Sequence, residues 1–121
     1  MAAGDITQGR RLEPIEREDG SFAPDFDMEP GDYCGPIVGY TGDLPAVFFL
    51  KPNARDEGVA PRARSVQHVC SPPHVFRECP DGSLEIRESI AAYPRSHPDE
   101  PSMNDGWHGY LDEGHVWREV A

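Results

Sequence analysis

Apolar residues in this chain fall into short alternating runs between turn residues. No stretch keeps them three and four positions apart long enough for an amphipathic helix. The pattern predicts strands at Ile37–Tyr40 and Ala46–Leu50, the second apolar at every position and therefore expected to be buried on both faces. Lys51–Arg64 reads as a polar loop. Ser65–Cys70 predicts a third strand, with Val66, His68 and Cys70 on one face and Gln67 and Val69 on the other.

Two hairpins give the sharpest local signals. Within Val75–Arg87, the link Cys79–Pro80–Asp81–Gly82–Ser83 offers Pro for the second position of a type I turn and Gly for a left-handed bulge residue. With Cys79 opposite Ser83, the register sets Phe76 against Ile86, Arg77 against Glu85 and His74 against Glu88. The second hairpin joins Trp107–Leu111 to His115–Val120 through Asp112–Glu113–Gly114. That link predicts Leu111 against His115, Tyr110 against Val116, and Trp117 across from Gly109 with its indole covering bare backbone. Between the hairpins, Tyr93–Gly106 has three prolines and no period, and reads as a long exposed loop. The expected fold is mostly β: a small antiparallel sandwich or open barrel over residues 34–121, built on the two bulged hairpins. Residues 1–33, acidic and interrupted by Pro14, Pro24 and Pro30, are expected to form an extended N-terminal arm. Leu12, Ile15, Phe22, Phe26 and Met28 are spaced along this arm for docking on the body or on a partner.

At 121 residues the chain is long enough for one domain. It carries 22 acids against 11 bases, a net charge of −11. Residues 1–33 and 71–121 hold −6 each and residues 34–70 hold +1. Phosphate binding needs clustered Lys and Arg, and the densest basic stretch is Arg62–Arg64, so no nucleic acid is expected as a partner; the acidic balance suits a basic partner or serves solubility alone. The longest apolar run, Ala46–Leu50, is far below a membrane span, and the first twenty residues lack an apolar signal segment, so a soluble chain with no membrane partner is expected. Three cysteines, an odd number, point to reduced thiols.

The sequence has no phosphate-binding loop, no H-E-x-x-H and no nucleophile elbow, which leaves its His and Cys residues as the chemical candidates. His68, Cys70, His74 and Cys79 supply four zinc-type ligands within twelve residues, although no cofactor is the first expectation and zinc the alternative. His74, His108 and His115 beside Glu88 form a second grouping, in which a carboxylate would orient an imidazole for acid–base work. Trp107, His108, Tyr110 and Trp117 are candidate interface anchors, with Asp99, Glu100 and Asp105 in the neighbouring loop as acidic contacts.

The segments PPHVFRECPDGSLEIRESI (72–90) and GWHGYLDEGHVWREV (106–120) resemble a family of small proteins encoded by bacteriophages of actinobacteria. The run D-G-x-L-x-[IV]-x-x-S-I followed by H-G-[YF]-[LI]-x-x-G is similar to a wider family of unknown function whose members often carry a Cys-rich segment, suggestive of metal, before the first hairpin. Here that region reads His68–Val69–Cys70–Ser71–Pro72–Pro73–His74 and lacks most of those cysteines. The resemblance implies a phage accessory protein; together with the acidic charge and the missing catalytic signatures it gives the expectation of a non-enzymatic protein in the host cytoplasm that binds a host or phage protein through its acidic surface, for example as a host-directed inhibitor. A virion component and a small metal-dependent enzyme using the His/Cys cluster are the alternatives.

Overall fold

The computed structural model describes residues 6–53, 66–92 and 107–120, and every helix-or-strand element among them is a strand. In chain order these are β1 (Ile6–Gln8), β2 (Arg10–Leu12), β3 (Ile15–Glu16), β4 (Phe22–Ala23), β5 (Asp32–Ile37), β6 (Ala46–Phe49), β7 (Gln67–Cys70), β8 (Val75–Glu78), β9 (Leu84–Ala92), β10 (Trp107–Asp112) and β11 (Val116–Glu119). They build a five-stranded sheet, β1-β11-β10-β9-β8, and a four-stranded sheet, β2-β5-β6-β7, with β3 and β4 as a separate small hairpin. All pairings are antiparallel except β2 with β5. Among the described residues neither sheet closes on itself, and the two share one core between them in the manner of a sandwich, within the mostly β fold the sequence predicts.

Alternation along the strands explains the layers. Tyr33, Val47 and Phe49 point from the four-stranded sheet toward Leu84, Ile86, Ile90, Ala92, Trp107, Leu111 and Trp117 of the other, and together they make the main core. The intervening residues Cys34, Ala46, Phe48 and Leu50 face the opposite side, where Met28, Leu12, Val66 and Cys70 cover them. Strand β6 is thus buried on both faces, as its unbroken apolar run predicts. A register shift in β5 between Cys34 and Ile37 turns Ile37 to the same side as Cys34. The strand expected at Ile37–Tyr40 therefore lies earlier, at Asp32–Ile37, and Val38–Tyr40 leave it toward a turn in which the Gly39 N–H donates to the Gly42 carbonyl at 3.0 Å.

The first hairpin has the expected register: Phe76 opposite Ile86, Arg77 opposite Glu85, and the Cys79 N–H donating to the Ser83 carbonyl at 2.9 Å. The Arg77 guanidinium reaches Glu85 at 2.9 Å. The pairing of His74 with Glu88 does not form. Glu88 adopts a left-handed conformation (φ 62°) at the bulge where β9 shifts register against β10, and His74 Nε2 lies 3.2 Å from the Ser89 carbonyl instead.

The second hairpin differs from its expected register. Asp112 stays in β10 opposite Val116, which sets Leu111 against Trp117, Tyr110 against Arg118 and Gly109 against Glu119. The turn becomes Glu113–Gly114–His115, with both Gly114 and His115 left-handed. One contact within the hairpin and two distant in sequence override the local turn preference here. Asp112 carboxylate oxygens meet Arg118 at 2.9 Å and Arg87 at 3.2 Å, while the His115 ring is held by Tyr33. Gly109 is covered by Trp107, not by Trp117; a Cβ there would lie 2.6 Å from the Trp107 ring.

Residues 6–33 contribute to both sheets. β1 pairs with β11, β2 pairs with β5, and the position after residue 33 lies inside β5. Leu12 and Met28 pack into the second core, while Ile15, Phe22 and Phe26 remain exposed. The predicted loop at 93–106 lies outside the described residues, as do Asp99, Glu100 and Asp105.

Candidate functional site

The sandwich opens at the end where β2 and β5 meet the two hairpin turns. A cleft of about 520 Å³ there is lined by Arg11, Glu13, Gly35, Glu78, Gly82 and His115, among others. Arg11 ties its two walls together. From β2 its guanidinium donates to both Glu78 oxygens (2.7 and 2.8 Å) and to the Gly82 carbonyl (3.1 Å) on the first hairpin, and to the Gly35 carbonyl (2.8 Å) on β5. These hydrogen bonds hold the Glu78 carboxyl below its ordinary pKa.

Tyr33, fully buried on β5, reaches across the core to the second hairpin. Its hydroxyl oxygen accepts from the Leu84 N–H at 3.1 Å and lies 2.6 Å from His115 Nδ1. Burial pushes the Tyr33 pKa up to about 12, so at neutral pH the hydroxyl keeps its proton and shares a hydrogen bond with Nδ1. The His115 ring is thus oriented by a phenol, where the sequence grouping would have had a carboxylate do so. Because the folded pKa lies above the ordinary value of about 10, protonated Tyr33 supports the fold fully below pH 10 and loses that support as pH climbs toward 12. Spectroscopic titration of tyrosinate is expected to show one of the four tyrosines ionising last, with a loss of stability across that window. Tyr33→Phe should flatten this alkaline limb and lower neutral-pH stability by about 1–3 kcal/mol, since the buried Leu84 N–H loses its acceptor. An unchanged alkaline limb in the variant overturns the assignment.

The sequence-level zinc set is not assembled. His68 and Cys70 sit on β7, His68 against the Phe48 ring (centroids 5.4 Å apart), His74 turns to Ser89, and Cys79 is at the far end of β8. Among the described residues, the one trio whose donor atoms approach within 4.8 Å is Cys79, Asp81 and Glu113. Asp81 Oδ1 there already accepts from the Ser83 N–H and hydroxyl, which keeps its pKa low, and the Arg77 guanidinium stands 3.9 Å from Glu113. A cation would have to compete with both. The grouping of His74, His108 and His115 with Glu88 is likewise dispersed, since the first lies beside Ser89, His108 is on β10 and His115 is beside Tyr33. Of the aromatic candidates, Trp107 and Trp117 belong to the core at 3% and 0% exposure, so neither is free to anchor a partner. Tyr110 is half-buried beneath the guanidiniums of Arg87 and Arg118.

A second hollow of about 320 Å³ adjoins the cleft through Pro14 and Pro36 and is lined further by Phe22, Ile37 and Val38. Phe26 and Tyr40 each meet the Phe48 ring edge to face and one another at a tilt, with Arg17 of the β3–β4 turn over Tyr40. The sequence marked Phe22 and Phe26 as docking residues but held no sign of Val38, whose exposure follows from the β5 register shift. The linings of the cleft and the hollow offer apolar contact, hydrogen-bonding groups and charge. No family model, curated protein or solved structure matches the chain.

Proposed function

We propose that the protein works by binding another protein through the face carried by residues 13–44, as a phage accessory protein directed at a host component. One observation carries this reading. Among the described residues, eight large apolar side chains are exposed, and six of them, Ile15, Phe22, Phe26, Val38, Tyr40 and Leu44, come from this segment. Scattered exposed apolar residues need no explanation, but two of these six, Phe22 and Val38, line a concave apolar hollow, which is the form of an interaction site. The cleft beside it, stiffened by Arg11, leaves little structure to reorganise on association.

The test is site-specific photo-crosslinking in phage-infected cells. A photoreactive residue at Val38 should capture one identifiable protein, and the same residue at Val75, comparably exposed on β8, should not. With that partner purified, Val38→Asp should weaken the complex at least about tenfold. Equal capture at the two positions, or none at Val38, removes the reading. Stoichiometric recovery of the protein in purified particles moves it from a host-directed role to the virion.

A further inference from the structure

We infer that the segment this face receives is cationic and amphipathic: an apolar side chain enters the hollow at Phe22 and Val38, and flanking Lys or Arg residues meet the surrounding carboxylates. The inference rests on the protein-binding reading above but is carried by a separate observation, the sign and placement of charge. Residues 13–44 hold nine acids and a single base, Arg17. Asp32 is buried and bound by Arg10 at 2.7 Å, so it contributes nothing to the surface field. Most of the others stand next to the exposed apolar side chains or the cleft. Glu16 lies directly opposite Phe22 in the β3–β4 pair, Asp25 and Asp27 flank Phe26, Asp43 precedes Leu44, and Glu13 lines the cleft beside Pro14.

Besides the buried Asp32, two of the carboxylates in this segment are positioned by the chain's own N–H and O–H groups. Asp19 accepts from the Ser21 N–H and hydroxyl, the former at 3.0 Å, and Asp25 accepts from the Asp27 N–H at 3.0 Å. Arg17 is engaged by the Ser21 hydroxyl at 2.9 Å and lies over Tyr40. Within this segment the negative charge therefore well outweighs the positive, the neighbouring Arg10 and Arg11 being paired with Asp32 and Glu78, and part of it is fixed in place. A dry apolar centre within a charged rim is the usual build of an interface, and a rim of one sign selects a partner of the other and repels its own kind. Nucleic acid and anionic lipid are disfavoured by the same field.

Three labelled synthetic peptides of equal length test this by fluorescence anisotropy on the full chain: a Leu/Lys amphipathic helix former, its Leu/Glu counterpart, and a Lys/Ser peptide of the same charge. The Leu/Lys peptide should bind at least about tenfold more tightly than either control and weaken strongly with added salt. Phe22→Asp and Val38→Asp should each cost about tenfold, while Val75→Asp on β8 should stay within about twofold. All three positions are exposed, and circular dichroism checks that the variants fold. Equal binding of Leu/Glu overturns the charge assignment, and equal binding of Lys/Ser overturns use of the hollow. Co-sedimentation of the protein with phosphatidylcholine vesicles in preference to the peptide overturns the choice of a polypeptide. If Val38 captures a partner in cells while Leu/Lys peptide fails to bind, this inference falls and the protein-binding reading stands; if Val38 captures nothing, both fall.

Discussion

Trp117→Ala is expected to remove about 3–5 kcal/mol of stability, which for a domain of this size is a large part of the total. Trp117 is fully buried on β11, at the place where the two sheets meet. Its ring centroid lies 5.4 Å from that of Phe49, 5.5 Å from that of Trp107 and 6.1 Å from that of Tyr33, so truncation empties space bordered by both layers. Its indole N–H donates to the Gly31 carbonyl at 2.7 Å, a bond that also fixes the segment leading into β5. Urea denaturation should show a much lower midpoint or no cooperative transition. Trp117→Phe separates the two contributions: it keeps most of the apolar volume, loses the hydrogen bond, and should cost about 1–3 kcal/mol. A Trp117→Ala protein within about 1 kcal/mol of the parent would contradict the shared core.

How far the sequence could be read depended on the distance between interacting residues. The first hairpin was legible because Pro80, Gly82 and the Arg77–Glu85 pair act within a few residues of one another. Strand β6 was legible because five consecutive apolar residues leave no solvent-facing side. The second hairpin misled because Asp112 and His115 are held by Arg87 and Tyr33, 25 and 82 positions away, and nothing near the turn announces either contact. The metal set misled for a similar reason. Ligand spacing along a strand says which residues share a face, but not that Phe48 already occupies the ground beside His68. The candidate site was partly visible, in the acidic run and in Phe22 and Phe26. Arg11, which joins the cleft walls, looks in the sequence like any surface arginine, since its partners lie 24, 67 and 71 positions away.

The same long-range dependence makes Gly9→Ala the second large expected loss. Gly9 is the single residue between β1 and β2, where the chain passes from the edge of one sheet to the edge of the other. Its N–H donates to the His115 carbonyl at 2.7 Å. A Cβ at this position would overlap the Gly31 carbonyl oxygen and come within 2.8 Å of Trp117 Nε1, the two ends of the buried hydrogen bond that organises the core. The carbonyl is backbone and cannot rotate away, so either that bond breaks or β1 and β2 shift. Overpacking and the loss of a buried hydrogen bond together should cost about 2–5 kcal/mol. Gly20→Ala is the informative comparison. Gly20 is left-handed at φ +83°, and an alanine methyl there would meet nothing within 4 Å, so its cost should be the conformational one, about 1 kcal/mol. In Gly9→Ala the amides of residues 6–12 should also exchange hydrogen faster than in Gly20→Ala, and because Arg11 lies in that stretch, crosslinking from Val38 should fall with them. Equal stability of the two variants would show that the crossing at Gly9 tolerates a side chain, and that the first strands are attached more loosely than their contacts require.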